Sequence, residues 1–441
     1  MRMGQRKDNL SASSEGVLKP ALGGRSSIEP CSRPSDTPRV IFLNPWDRLI
    51  GPNRYLAEML RQAPELAVRS TVVFAAGDEA CREYRDLGCR TEVWPEIGLI
   101  HPRLTLRNVA SGLQRHTVGL ARTVRRMKDR HPDLVVSNSE ILCLGGIAAK
   151  AVGIPHAQVI HSLLFQYRRA QHEWAIPGYI RFLSFWTQCF VTVSESVRRM
   201  LGDYRVRSER VAVVPNGFDI QGIRQKSRLP LPPSLEERIQ GRFPVLVSVG
   251  RIAPMKGQDT LIEAVARLRA SYPSLVCLIV GRQASSESWE DVSGFHERLT
   301  RQIRKERMEN AVCFLGEVDC VPGLFRRADL YVHPSLTESF SRVVAEALIC
   351  GTPVVCTDAG ALPEVVGPGG AFLVKPSDAE ALAHGLREVL QKRALRDQIV
   401  SAGEAHVESR YPIGQTTRKF LEVLRAICGS EPRLWKPSYV S

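Results

Sequence analysis

Residues 330–356 read L-Y-V-H-P-S-L-T-E-S-F-S-R-V-V-A-E-A-L-I-C-G-T-P-V-V-C, and this stretch decides the fold. Leu330, Tyr331 and Val332 form a short apolar run with strand character that stops at His333-Pro334-Ser335. A polar turn follows, and then Val343, Val344, Ala347 and Leu348 recur at helical spacing. Gly351-Thr352-Pro353 ends that helix, and Val354-Val355-Cys356 reads as the next buried strand. Glu338 therefore falls in a strand-to-helix turn at the carboxyl edge of a parallel sheet, the edge where open α/β sheets bind ligands. Glu346 falls inside the helix. The backbone N–H groups of Ser339, Phe340, Ser341 and Arg342 are expected at the helix start, where a phosphate or sugar oxygen is welcome. A helix rises about 1.5 Å per residue, so Glu346 lies about 12 Å beyond Glu338. The two carboxylates can hold different parts of one ligand.

Strands alternate with helices on both sides of this stretch. Order is expected from Arg39 onward, with strands near residues 39–43, 70–74, 134–137, 157–161, 189–193 and 211–215. Residues 221–243 are basic and proline-rich (Pro230, Pro232, Pro233) and read as a linker. A second alternating series runs through strands near 245–249, 275–280, 312–315, 330–332, 354–355 and 372–374. The predicted fold class is α/β, two Rossmann-like doubly wound domains facing a cleft. The first spans residues 38–220 and the second 244–413. Residues 1–37, rich in Ser, Gly, Pro and charge, and 429–441 read as tails.

Composition narrows the function classes. The chain has 441 residues, 44% of them hydrophobic and 24% charged, enough for more than one core. Its eleven cysteines lack C-x-x-C pairs, and several lie on strands (Cys277, Cys313, Cys356), so they read as reduced thiols of a cytosolic protein. No secretory signal follows the first methionine, and residues 151–167 make a poor membrane span because Pro155, His156, Gln158 and His161 interrupt them. A soluble or peripheral protein is expected. The net charge of +14 favours anionic partners. No nucleic-acid-binding motif is visible, so a nucleic-acid partner is not expected.

The second domain opens with V-S-V-G-R-I-A-P-M-K-G-Q at residues 247–258. Arg251 follows the strand end directly, and Lys256 and Gly257 precede a helix. Two such cations can clamp a diphosphate, because charge-assisted hydrogen bonds are about twice as strong as neutral ones. They would also stabilise charge on a departing phosphate.

Together, G-R-x-x-x-x-K-G and P-S-x-x-E-S-F-x-x-V-V-A-E-A-L-x-C-G-T-P-V-V resemble the donor-site motifs of the retaining, GT-B-fold glycosyltransferases of family 4 (glycosyl transferases group 1). The resemblance covers roughly residues 38–428, densely in the second domain and thinly in the first. It implies that Arg251 and Lys256 hold a nucleoside diphosphate, Glu346 the ribose, and Glu338 the donor sugar. On this division of roles, neutralising Glu338 leaves binding of the free diphosphate unchanged. Gly316 and Val318 resemble the segment that frames the nucleotide base. Ser341 stands where the family usually has glycine. In Asp358-Ala359-Gly360-Ala361-Leu362-Pro363-Glu364, Ala361 replaces a second glycine, which matters little unless the backbone there needs a positive φ. The resemblance further implies that the last helix, about 414–428, packs back across the first domain. Asn216-Gly217 reads as interdomain architecture.

A lone histidine at a strand end, such as His161, is more often structural, but the family often places one there beside the donor sugar. Gly51 and Asn53 are expected on the acceptor side. Pro52 between them has no N–H, so it cannot contact a phosphate through its backbone. Residues 103–130 carry eight cations against one acid, Asp129, interleaved with Leu106, Val109, Leu113, Leu120, Val124 and Met127. A basic amphipathic helix suits an anionic membrane surface. It equally suits a helix whose apolar side packs on the sheet. The aromatic stretch 165–190 fits core or acceptor groove.

The expected activity is transfer of a sugar from a nucleotide-sugar donor to a glycan or lipid-linked acceptor hydroxyl, in lipid-linked glycan or polysaccharide biosynthesis. Retention through front-side displacement is implied, with the leaving phosphate taking the acceptor proton. No Asp-x-Asp motif occurs, so no metal cofactor is expected. Two other readings fit the same phosphate clamp: a sugar-nucleotide epimerase and a non-catalytic sugar or lipid binder.

Overall fold

A computed structural model of the chain describes residues 37–45, 51–77, 79–97, 106–163, 176–283 and 292–429. Of the expected tails 1–37 and 429–441, residues 1–36 and 430–441 lie outside these, as do Arg103 and the aromatic residues Tyr167 and Trp174.

Two all-parallel sheets organise the molecule. The first joins β1 (Val40–Asn44), β2 (Ser70–Phe74), β3 (Arg90–Val93), β4 (Leu134–Ser137), β5 (His156–Ile160), β6 (Cys189–Thr192) and β7 (Val211–Val213) in the order β3-β2-β1-β4-β5-β6-β7. The second joins β8 (Val245–Val249), β9 (Val276–Val280), β10 (Val312–Gly316), β11 (Leu330–His333), β12 (Val354–Thr357) and β13 (Phe372–Val374) in the order β10-β9-β8-β11-β12-β13. Helices cover both faces, so central strands are expected to be buried at every position. β1, β4, β5, β6 and β9 are indeed buried throughout, whereas edge strand β3 is not. Cys277 and Cys356 are fully buried in their strands, as expected of cysteine used as a small hydrophobe. In each sheet the strand order reverses beside the first strand, between β1 and β4 and between β8 and β11. Those two switch points are where such sheets open a crevice for ligands.

Residues 221–243 are not a bare linker. They carry the helices Ile220–Ser227 and Pro233–Ile239, with Leu231, Leu235 and Ile239 buried. Proline is tolerated in the first helical turn, where the missing N–H would have had no partner. The prolines here therefore start a helix rather than prevent one.

The chain crosses between the domains twice, and the two crossings run side by side. Phe218 N–H donates to Tyr411 O (2.9 Å) and Ile413 N–H donates to Phe218 O (3.0 Å). A Cβ on Gly217 would lie 2.7 Å from Ile413 Cα, so only glycine permits this approach. Beyond the second crossing, the helix Ile413–Gly429 packs against the first domain, where Phe420 stacks on Phe42 and meets the edge of Tyr55.

Candidate active site

The site forms where the carboxyl ends of β8 and β11 meet. Gly257 makes that approach possible, and Gly281 lets the end of β9 close on the end of β8. A Cβ at Gly281 (φ 139°) would lie 2.1 Å from Gly250 O, and one at Gly257 (φ 65°) 2.2 Å from Pro334 O. Gly257 thus lets the helix Gln258–Leu268 begin directly against the turn after β11. Gln258, fully buried and not singled out by the sequence, ties the loop between them. Its Nε2 donates to Arg251 O (2.8 Å) and its Oε1 accepts from Ala253 N–H (3.4 Å).

Lys256 and Glu338 are brought into direct contact as a partly buried ion pair. This couples the two expected roles, because the cation expected on the diphosphate is shared with the carboxylate expected on the sugar. Arg251 is exposed, and its guanidinium has no hydrogen bond or ion pair among the described residues. The two cations of the expected clamp are therefore in different states.

Glu338 is buried, with three donors on one oxygen. Oε1 accepts from Lys256 Nζ, from His333 Nε2 (2.8 Å) and from Ser335 Oγ (2.9 Å). Burial opposes its charge, but the Lys256 charge and the His333 hydrogen bond outweigh burial and hold the carboxyl well below its usual range. Burial also keeps His333 neutral, against the pull of Glu338. His333 and Ser335 are site residues that sequence reasoning passed over as the end of a strand. The only signal was polar character where β11 runs into the turn. Gly360 (φ 60°) packs under the same turn, since a Cβ there would lie 2.2 Å from Glu338 O. Ala361 sits at φ −92°, so its replacement of glycine is without strain.

The helix after Glu338 begins at Arg342, later than expected. Ser339 and Phe340 thus belong to the preceding turn, and of the expected N–H set only Arg342 lies in the first helical turn. Ser339 Oγ donates to His161 O across the cleft (2.6 Å). Phe340 is buried, stacked on Phe218 and edge-on to Tyr411, so its ring joins the domains rather than lining a ligand site. Ser341 precedes the helix at φ 68°, the left-handed conformation that glycine adopts without strain. Arg342 lies over Phe218 and grips both oxygens of Glu58 on the first domain (2.9 Å each). Glu346, one turn on, is 3.7 Å from Arg342 and partly buried. Gly316 ends β10 at φ 69°, accepting from Gly281 N–H (2.7 Å), and Val318 is partly buried against the core.

Across the cleft, His161 directly follows β5. Its Nε2 lies 2.9 Å from Asn138 Oδ1, which can only accept, so Nε2 carries the proton and Nδ1 presents a lone pair. Burial pulls its pKa down to about 3. Asn138 also donates to Asn44 Oδ1 (2.7 Å) and Pro52 O (3.0 Å), binding the ends of β1, β4 and β5 into one rim. Glu140 accepts from His161 N–H (3.1 Å). Asn138 and Glu140 had no motif to reveal them. Gly51 opens the helix Gly51–Arg61 and is exposed, but Asn53 is fully buried, with its carbonyl taken by the Tyr84 hydroxyl (2.7 Å).

In the helix Leu106–Arg130, Leu120, Val124 and Met127 turn inward, whereas Val118 is exposed. Met127 is buried, and Leu120 and Val124 pack against the same core cluster. Arg126 pairs with Glu96 (3.2 Å) and lies over Trp94, and Arg130 pairs with Glu92 (2.8 Å). The apolar side is thus core, and the exposed cations of this part are Arg122, Arg125 and Lys128. Among the described residues, no helix is long and apolar enough to cross a membrane.

Residues 235–406 match the family model described as glycosyl transferases group 1, and residues 50–221 match glycosyltransferase family 4. Over 199 residues the chain is 31% identical to the GDP-mannose-dependent monoacylated alpha-(1-6)-phosphatidylinositol monomannoside mannosyltransferase of Corynebacterium glutamicum, covering 43% of this chain and 48% of that one. Over 226 residues it is 31% identical to a phosphatidyl-myo-inositol mannosyltransferase of Mycobacterium tuberculosis, covering 49% of this chain and 54% of that one. The chain thus spans about half the length of these two relatives. Among solved structures, Anabaena HepE in complex with UDP superposes with a TM-score of 0.72 at 23% identity, covering 88% of this chain and 100% of that one. At that identity the likeness is one of fold. Two facing Rossmann-like domains with the switch-point site between them are the GT-B architecture. The chain belongs to the glycosyltransferases of family 4, group 1.

Proposed function

We propose that the protein transfers a hexose from a nucleoside diphosphate donor to an acceptor hydroxyl with retention of configuration. The observation that carries this reading is the Lys256–Glu338 pair, a cation and a charged carboxylate set together at the β8/β11 switch point. Arg251 and Lys256 take the diphosphate, Glu346 the ribose hydroxyls, and Glu338 a sugar hydroxyl. His161 meets the sugar from the first domain with an acceptor nitrogen. The bond from the anomeric carbon to phosphate oxygen breaks as a bond to acceptor oxygen forms on the same face. The acceptor proton passes to the departing phosphate, whose charge the two cations hold without a divalent ion. The relatives' names favour GDP-mannose as donor and an inositol-bearing lipid as acceptor. Arg122, Arg125 and Lys128 would approach an anionic bilayer electrostatically, at the inner face of the membrane.

Incubation with GDP-mannose or UDP-glucose and phosphatidylinositol vesicles, with EDTA present, tests this reading. The expected result is release of GDP or UDP coupled to a glycosylated lipid. Arg251→Ala should lose about 1.5–3 kcal/mol of donor binding with an unchanged Tm, because its exposed side chain supports no structure. Conversion of the nucleotide sugar without transfer would favour the epimerase, and binding without turnover the non-catalytic reading.

A further inference from the structure

Glu338 receives its three donors on Oε1 alone, and Oε2 has no hydrogen-bond partner among the described residues. The donors are themselves held in place. The Tyr331 hydroxyl lies 2.9 Å from His333 Nδ1, and burial keeps the phenol protonated. The charged Glu338 can only accept, so the neutral imidazole carries its proton on Nε2, and Nδ1 accepts from the Tyr331 hydroxyl, which also lies 3.4 Å from Val249 O. Ser341 Oγ lies 3.2 Å from the same Nε2 and Ser335 Oγ 3.1 Å, so the imidazole N–H is enclosed by acceptors on one side. Ser341 stands at φ 68°, which L residues avoid and glycine does not. A residue that bears strain beside a buried carboxylate points to a use for its side chain.

We propose that His333 and Ser341 are positioning residues for Glu338: the imidazole pins Oε1, Ser341 fixes the imidazole, and Oε2 is left as the open acceptor for a hydroxyl of the donor sugar. The inference rests on the sugar-binding reading of Glu338 given above. Pinning one oxygen prevents the carboxylate from turning, so the second oxygen meets the sugar at a fixed angle. Orientation of this kind acts on turnover more than on affinity for the nucleotide.

Four single variants test it: His333→Phe, His333→Gln, Ser341→Ala and Ser341→Gly. The kinetics use GDP-mannose or UDP-glucose, whichever the wild type turns over, and calorimetry measures the Kd of free GDP or UDP. Loss of a buried charge-assisted hydrogen bond should cut kcat/KM of His333→Phe about tenfold to hundredfold, mostly in kcat. Nucleotide Kd should stay within about threefold, since no phosphate contact is lost. Glutamine can donate to Oε1, so His333→Gln should recover most of the loss. Ser341→Gly should raise Tm by relieving the strain and still lower kcat. Recovery no better with Gln than with Phe, wild-type kinetics in His333→Phe, or full activity in Ser341→Gly would each overturn the proposal. A wild type that turns over no nucleotide sugar would overturn the functional reading instead. The positioning claim then rests on the Tm of His333→Phe, Ser341→Ala and the double variant. Sub-additive losses support the pairing, and additive losses sink it.

Discussion

At Glu338 a carboxylate keeps its charge where burial opposes it, and Lys256 is the main reason. The pair makes diphosphate binding and sugar binding interdependent, because a phosphate that recruits Lys256 competes with Glu338 for it. Glu338→Gln frees Lys256 and should tighten free GDP or UDP about fivefold, since ~1 kcal/mol of attraction no longer has to be shared. The same variant should lose most sugar transfer, and calorimetry beside turnover reads both effects. Glu338 also sets a pH dependence. Its folded pKa is depressed, so its stabilising contribution is present above the ordinary value of 4.5 and fades as pH falls toward the folded value. Lys256→Met removes the main opposing charge and moves the folded pKa back up toward the ordinary value, so the acid loss of stability should shrink, visible as a flatter Tm against pH. Glu338, Glu346 and Lys256 were legible in the sequence because their spacing belongs to a motif. His333 and Ser335 were not, because their roles depend on side chains converging across a turn.

At the scale of elements, the helix Leu106–Arg130 shows how an amphipathic pattern divides into two uses. Periodicity identifies an apolar face, but it cannot say whether that face meets lipid or the protein's own sheet. In the described part it meets the sheet, with Met127 fully buried. Met127→Ala should therefore cost about 2–5 kcal/mol of stability, measured by urea unfolding. Replacing Arg122, Arg125 and Lys128 together by Gln should leave stability unchanged, because these side chains are exposed. If the membrane reading holds, the same triple variant sediments less with anionic vesicles at low salt. Were Met127→Ala silent in unfolding, the inward packing of this helix would be wrong.

The whole molecule is closed by contacts that reach across the cleft. Glu364, in the second domain, accepts from the N–H groups of Glu195 (3.0 Å) and Ser196 (3.3 Å), capping a first-domain helix. Arg342 and Glu58 form the other clasp, beside Glu346. A carboxylate at a helix N-terminus contributes about 0.3–1 kcal/mol beyond its hydrogen bonds. Each clasp is small against the total stability of either domain. Combining Glu58→Gln with Glu364→Gln should therefore leave both domains folded and open the cleft. Small-angle scattering should show a larger radius of gyration, and protease cleavage near residues 216–219 should accelerate. An unchanged radius and cleavage rate would show that the paired crossings and the remaining bonds across the cleft, Ser339 to His161 and Ser196 to Gly360, suffice to set the domain arrangement.

The sequence by itself determined the fold and the polar residues of the donor motifs. Strand and helix periods are local, and Gly257, Lys256, Glu338 and Glu346 sit at fixed distances along one chain. It also marked Ser341 as a departure from glycine, without showing why that position needs one. Only the tertiary structure decided that Ser341 sits at a positive φ, that Lys256 is engaged by Glu338, and that Asn53 is core. It alone brought Asn138 to His161 and turned residues 221–243 into two helices. These are facts of burial and of approach between segments far apart in the chain, and no local pattern encodes them.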